Sequence, residues 1–160
     1  LRSARSFPVV GPGEASFAMA MMLGKKFSVL TMWPEWFPLY QKTLTEYGWW
    51  DRVASLRSIN TRPDVTELLE GKEEVVFGKL KAEAEKAIEE DGADVIVLGS
   101  TTMHQSAAFL AANLPIPVLN PGQVAYKMLE TQIELGLAHS RKAFPAPEVP
   151  KHADIRKGWY

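Results

Sequence analysis

The chain has 160 residues, a length that suits one domain able to hide roughly two-thirds of its unfolded surface. Its 18 basic and 19 acidic residues are mixed along the chain and give a net charge of -1, which excludes a basic face for nucleic acid and a polybasic membrane anchor. Cysteine is absent, and no apolar run approaches the ~20 residues of a membrane-spanning helix, so we expect a soluble, cytoplasmic protein without disulfides or a thiol nucleophile.

Short β-rich runs alternate with longer segments of helical period. In chain order the predicted elements are strand 8–10, helix 14–23, strand 27–30, helix 35–47, strand 54–59, helix 73–90, strand 95–98, helix 103–113, strand 118–120 and helix 123–137. This alternation predicts an α/β fold with a parallel sheet sandwiched by helices.

Local patterns support these elements. Apolar residues recur every fourth position of helix 73–90, which predicts one buried stripe: Val76, Leu80, Ala84 and Ile88. Three glycines stand just past predicted helix ends, where they would act as C-terminal caps: Gly24, Gly48 and Gly92. The run VIVL at 95–98 is apolar at consecutive positions, so we expect a central strand buried on both faces.

The last part of the chain differs in composition. Three prolines lie between residues 145 and 150, and no period follows them, which predicts an irregular arm at 142–160 after a lobe at 1–141. Trp159 and Tyr160 end the chain as either an anchor on another subunit or an accidental aromatic pair.

Ligands of open parallel α/β sheets bind beyond the carboxyl ends of the strands, where loops lead into helix N-termini. The loops after the predicted strands therefore give the candidate lining of a cleft: Gly11, Gly13, Glu14, Thr31, Met32, Asn120, Pro121 and Gly122. Trp33 directly follows a strand and could form one wall of this pocket. It also begins an aromatic stripe with Trp36, Phe37 and Tyr40 that is more typical of a core or a subunit interface.

The segment GPGEAS at 11–16 matches the first two glycines of a dinucleotide-binding fingerprint. Ser16 stands at the third glycine position, and the next strand does not end in an acidic residue that would hold a ribose. A tight turn with Glu14 near the positive end of a helix is the better interpretation.

The segment GSTT at 99–102 has three interpretations. Ser100 could be a hydrolase nucleophile with His104 as its base, although the sequence is not G-x-S-x-G. Ser100, Thr101 and Thr102 could instead present hydroxyl and N–H groups to a carboxylate or an imide. A purely structural role is also expected, with Thr101 or Thr102 as the N-cap of the following helix.

Metal chemistry is not indicated. The histidines are His104, His139 and His152, which are too scattered for a metal site, and no paired carboxylate spacing accompanies them. We therefore expect no metal.

Five segments in order resemble the C-terminal part of the aspartate/glutamate/hydantoin racemase superfamily, and its hydantoin and allantoin racemase branch most of all. They are PVVGPGEAS (8–16), LGKKFSVLT (23–31), EYGWWDRVASLRSIN (46–60), EEDGADVIVLGS (89–100) and PIPVLNPGQVAYKMLE (115–130). The resemblance extends to about Arg141. It implies a flavodoxin-like lobe of a two-lobed fold, no cofactor, a small-molecule substrate and a homo-oligomer.

The resemblance also implies a mechanism. In this family two cysteines, one from each lobe, stand on opposite faces of the acidic carbon; one thiolate removes the α-proton and the other thiol returns a proton from the far side. The second cysteine follows a Leu-Gly at the end of the central strand, and Ser100 has that position here. The chain starts at Leu1 rather than methionine, about where the family's first lobe ends, so we expect that lobe to be missing from the sequence.

Ser100 at the cysteine position has three explanations. It is native to a subgroup with one-sided proton chemistry, such as decarboxylation or isomerisation; it is an engineered change that traps ligand; or it belongs to an inactive protein that only binds. The following STTMHQ differs from the family's small, glycine-rich continuation and favours a native variant. We therefore predict a racemase-type isomerase acting on a small carboxylate or hydantoin-like compound, with Ser100 as the catalytic residue, or else a non-catalytic binding protein for such compounds.

Overall fold

The computed structural model describes residues 1–62 and 73–148. Within these residues the strands form a four-stranded sheet: β1 (Phe27–Thr31), β2 (Val53–Ser58), β3 (Val95–Leu98) and β4 (Val118–Leu119). All pairings are parallel, in the order β2-β1-β3-β4, with Val29 opposite Val97 across the central pair. The α/β fold with a parallel sheet is therefore confirmed, and VIVL is a central strand, as predicted.

The described helices are α1 (Pro12–Leu23), α2 (Phe37–Glu46), α3 (Glu73–Glu89), α4 (His104–Asn113) and α5 (Pro121–Glu134). Helices α1 and α5 begin two residues earlier than predicted because each starts with a proline, whose fixed φ suits the first helical position. Single turns of 3-10 helix precede α2 and α4, at Pro34–Trp36 and Thr101–Met103.

The predicted strand at 8–10 is wrong. Residues 8–10 join no strand, and the Val9 N–H donates to His139 Nε2 at 2.7 Å instead of to a sheet partner. Pro8 supplies no N–H for a ladder, which explains why an apolar run of this length does not extend the sheet.

Alternate residues of the central strands feed two apolar cores. Leu30 and Leu98 point into a cluster with Leu80 and Ala84 of α3, while Val29 and Val97 join a cluster with residues of α1 and α2. The predicted stripe of α3 is confirmed, since Leu80 and Ala84 are buried and the two outer members of the stripe pack against the same cluster. Strands β1 and β3 are therefore covered on both faces.

The three predicted glycines lie at helix ends. At one of them, however, glycine is required for a different reason than the predicted one. Gly48 and Gly92 end helices with φ values of 71° and 73°, the left-handed conformation that favours glycine. Gly24 ends α1 with an extended φ of -147°, so it is not a left-handed cap. A Cβ there would lie 2.7 Å from Asp94 Cβ and 2.8 Å from Val95 Cγ2, so close packing against the start of β3 is what requires glycine.

The chain divides into two compact units. The larger spans 11–125 and contains the sheet. The smaller joins Leu1–Val10 to the described chain from Tyr126 onward, where the Arg141 guanidinium donates to the carbonyl oxygens of Arg2, Ser3 and Arg5. Among the described residues, no helix is both long and apolar enough to cross a bilayer. Residues 63–72 and 149–160, which include most of the predicted arm 142–160 and its terminal aromatic pair, lie outside the described residues.

Candidate functional site

Ser100 lies where β3 ends and the chain turns into a helix. It is extended (φ -140°, ψ 144°) and is the N-cap of the 3-10 turn Thr101–Met103. Its Oγ accepts a hydrogen bond from the Thr102 N–H at 3.3 Å and lies 2.8 Å from Thr102 Oγ1. The prediction that Thr101 or Thr102 is the cap is corrected: the extra 3-10 turn moves the start of the helical segment back, so that the cap position is occupied by Ser100.

A pocket of about 350 Å³ opens beside Ser100, a volume in the usual range for small-molecule sites. One side is the end of β3 and the following turn, including Gly99, Ser100 and Thr101. The other sides come from the first turns of α1, the inner face of α2 and Pro121 at the start of α5. The pocket therefore lies over the carboxyl end of the sheet, near the β1/β3 pair where the strand order reverses.

Tyr40 of α2 connects the pocket wall to the end of β3. Its hydroxyl donates to the Gly99 carbonyl oxygen at 2.8 Å and lies 3.3 Å from Thr31 Oγ1. Burial raises the pKa of Tyr40 above its ordinary value, and the hydrogen bond with Thr31 acts in the opposite direction. The phenol therefore stays protonated, and a hydrogen-bond donor, through neutral pH.

Four predicted residues line the pocket together: Gly13, Ser100, Thr101 and Pro121. Thr31 is fully buried behind the wall, where its hydroxyl meets Tyr40. Met32 is buried in the core on the α3 side and borders, with Thr102, a cavity of only about 10 Å³.

The other predicted residues have local structural positions. Gly11 is the N-cap of α1, and Glu14 lies in its first turn, where its charge is favourable. Asn120 Oδ1 accepts from the N–H groups of Gly122 (3.1 Å) and Gln123 (3.4 Å), which makes Asn120 the cap of α5.

The two optional candidates lie outside the pocket lining. His104 is exposed at the start of α4, and the described partner of Ser100 Oγ is Thr102 rather than this histidine. Trp33 is half-buried, packs edge-on against Trp36 and has the Arg62 guanidinium 5.6 Å above its ring.

Sequence patterns missed part of the lining. Helices α1 and α2 contribute Pro12, Phe17, Leu39, Tyr40 and Thr43. Of these residues, only Tyr40 was named from the sequence, as part of an aromatic stripe. The stripe does not indicate that the Tyr40 hydroxyl reaches the end of β3. The spacing 39, 40, 43 on one helix was the available signal, because residues three apart share a face.

The pocket lining has no charged side chain among the described residues. It combines apolar groups with four hydroxyl-bearing side chains. The Tyr40 hydroxyl donates to the Gly99 carbonyl and the Thr43 hydroxyl to the Leu39 carbonyl, so the remaining hydroxyls are those of Ser100 and Thr101. Hydroxyl and backbone N–H groups can hold carbonyl and imide groups, and they can stabilise negative charge that develops on a carbonyl oxygen.

Comparison with known proteins identifies relatives of the whole described core. The sequence profile of the Asp/Glu/Hydantoin racemase family matches residues 1–129. A hydantoin racemase of Pseudomonas sp. (strain NS671) is 34% identical over 142 residues, which are 88% of this chain and 56% of that protein. A hydantoin racemase of Paenarthrobacter aurescens is 31% identical over 84% of this chain and 56% of its own length. The chain thus spans about half the length of these curated relatives.

Solved structures agree with the sequence relatives. An allantoin racemase from Klebsiella pneumoniae superimposes with a TM-score of 0.84 at 32% identity, over 93% of this chain and 60% of that one. An allantoin racemase from Pseudomonas fluorescens gives a TM-score of 0.86 at 31% identity, over 94% and 63%. With the family profile, the relatives and the fold in agreement, the chain belongs to the Asp/Glu/hydantoin racemase family.

Proposed function

We propose that this protein catalyses racemase-type proton transfer at the carbon next to a carbonyl in a hydantoin-like cyclic ureide. The observation that carries the proposal is the pocket at the end of β3, where Ser100 and Thr101 lie beside a cavity of about 350 Å³. The chain is similar to hydantoin and allantoin racemases, which supports this substrate class.

The uncharged lining favours a neutral ring over a free amino acid. A free carboxylate buried without a cationic partner loses hydration energy that the hydroxyl groups of the described lining would only partly replace. A cyclic ureide carries its carbonyl and N–H groups without a net charge, and these match hydroxyl donors and acceptors. A small carboxylate is therefore the second choice of substrate.

Ser100 is proposed to lie at the proton-transfer position. A serine hydroxyl is a far weaker acid than a thiol, whose reference pKa is about 8.5, so it is hardly ionised at neutral pH. We infer that Ser100 donates a hydrogen bond to the enolate oxygen, while a base outside the described lining takes the α-proton and its conjugate acid, or water, returns a proton to the carbon. This asymmetry also allows one-sided chemistry, such as isomerisation or decarboxylation.

Deuterium exchange tests the proposal. The chain is incubated at neutral pH in D2O with one enantiomer of a 5-substituted hydantoin, and loss of the C5–H signal is followed by NMR beside chiral chromatography. We expect exchange above the buffer rate. If neither the protein nor its Ser100→Cys variant accelerates exchange, the proposal is wrong.

A non-catalytic binding protein is the alternative. The absence of cysteine, together with a serine hydroxyl that already caps the following turn, favours it. Such a protein would be stabilised thermally by a hydantoin or a small carboxylate while its C5–H exchange stayed at the buffer rate.

A further inference from the structure

Gly99 is held by two hydrogen bonds, one on each of the two peptide groups that it joins. The Gly99 N–H donates to the Leu30 carbonyl oxygen at 2.8 Å, and the Gly99 carbonyl oxygen accepts from the Tyr40 hydroxyl at 2.8 Å. Because a peptide group is planar, a fixed Gly99 carbonyl also fixes the direction of the Ser100 N–H and the position of Ser100 Cα.

Tyr40 and Gly99 are sterically matched. A Cβ on Gly99 would lie 2.6 Å from the Tyr40 hydroxyl oxygen and 3.0 Å from its Cζ, so the phenol fills the space that any other side chain at 99 would need. Thr31 Oγ1, at 3.3 Å, holds the same hydroxyl from β1. The side chain of Tyr40 is only 8% exposed and has little freedom to move away.

A tyrosine with a purely structural role in the core would donate a hydrogen bond to any nearby acceptor. Here the acceptor is the carbonyl directly before Ser100, and the ring of Tyr40 lines the same pocket as Ser100. A hydrogen bond to a peptide carbonyl also polarises the N–H of that peptide, which belongs to Ser100. Both effects act on the residue at the proposed proton-transfer position.

We propose that Tyr40 is a positioning residue for Ser100, holding the Gly99–Ser100 peptide in the orientation that proton transfer requires. This inference rests on the proposed function. Tyr40 acts through the Gly99 carbonyl and takes no part in the transfer of the proton. Its loss should slow the chemical step and leave substrate binding nearly unchanged, because small misplacements of a reacting group reduce rate strongly.

The test is Tyr40→Phe in the hydantoin exchange assay, with rates expressed per folded molecule well below the Tm. We expect kcat to fall about tenfold or more while KM changes less than about threefold. We also expect the amide hydrogen of Gly99, which donates to the Leu30 carbonyl oxygen, to exchange with solvent at least about tenfold faster, with the amide of Val97 in β3 unchanged. Tyr47→Phe is the matched control, since Tyr47 is 41% exposed and stacks on Trp49.

The outcomes separate the two proposals. If the wild-type protein exchanges hydantoin protons and Tyr40→Phe keeps kcat per folded molecule within about threefold, the positioning role is overturned and the proposed function stands. A lower Tm with unchanged kcat also overturns it, because this is the result of a purely structural role. If the wild type and Ser100→Cys both lack exchange, the proposed function itself fails and the positioning role fails with it.

Discussion

Gly99→Ala tests the close contact between Gly99 and Tyr40. The added methyl would lie 2.6 Å from the Tyr40 hydroxyl oxygen and 3.0 Å from Thr31 Cβ, and these two side chains are buried. Neither partner is the free end of a flexible side chain, so the end of β3 or helix α2 must shift. Gly99 has no left-handed φ, and the alanine backbone itself is therefore unstrained.

The expected cost follows from three effects. Overpacking costs about 1–3 kcal/mol, and loss of the 2.8 Å bond from Tyr40 to the Gly99 carbonyl costs about 0.5–1.5 kcal/mol. Alanine also lowers the conformational entropy of the unfolded chain, which stabilises the folded state by about 0.4–1 kcal/mol. We expect a net loss of roughly 2 kcal/mol, which for a chain of this size is a Tm lower by about 4–8 °C.

Urea and thermal unfolding measure this loss. Gly122→Ala is the matched control, because its Cβ would meet Asn120 Oδ1 at 3.5 Å, an ordinary contact, within the first turn of α5. We expect the control to be neutral or slightly stabilising. In a Tyr40→Phe background Gly99→Ala should cost about 1 kcal/mol less, since the nearest atom is gone. An unchanged stability of Gly99→Ala, or an equal cost in both backgrounds, would refute the steric argument.

Three further predictions concern other residues. Ser100→Cys should raise the C5–H exchange rate of a hydantoin, with the increase growing as pH rises toward the thiol pKa of about 8.5; an unchanged rate removes this position from the mechanism. Arg57 donates to Asp91 at 2.5 and 3.0 Å and holds the pKa of that carboxyl below its usual range. A carboxyl with a depressed pKa contributes stability that is complete above the unfolded pKa of about 3.9 and is lost as the pH falls through the lower folded-state pKa. Arg57→Met should therefore cost roughly 1–2 kcal/mol at pH 7, and urea titrations should show its stability converging with that of the wild type as the carboxyl becomes protonated. Asn120→Ala removes the cap of α5 and should cost about 1 kcal/mol, while Asn120→Asp should retain most of it; equal losses in unfolding experiments would contradict the capping role.

Hydrophobic periodicity was sufficient to predict the sheet and its helices, because burial on both faces produces a clear apolar pattern in the sequence. The consecutive apolar residues of β3 and the four-residue spacing in α3 report directly on which side chains meet the core. The run at 8–10 has the same composition as a short strand, and only its long-range hydrogen bond to His139 shows that it belongs elsewhere. Local composition carries no information about such a partner 130 residues away.

The position of the pocket was predicted, and its lining was predicted only in part. The rule that ligands bind at the carboxyl ends of parallel strands located Ser100, Thr101 and Pro121 at the pocket. It could not show that Thr31 faces inward or that Leu39 faces the pocket, because those directions depend on how α2 packs across the sheet. The capping role of Asn120 was missed, because Asn120 was placed in the cleft lining and the helix was begun at 123. The Asn-Pro-Gly sequence was the available signal, since proline favours the first helical position.

Ser100 has a capping role and a proposed catalytic role, and the requirements of the two conflict. As the cap of the Thr101–Met103 turn it must accept from the Thr102 N–H, for which an oxygen is a much better acceptor than a sulfur. As a proton-transfer residue it would benefit from the acidity of a thiol. Ser100→Cys should therefore raise the exchange rate while lowering stability by about 0.5–1 kcal/mol, the cost of a weakened cap. A variant that gains activity at no cost in unfolding free energy would show that the serine hydroxyl contributes little to holding this turn.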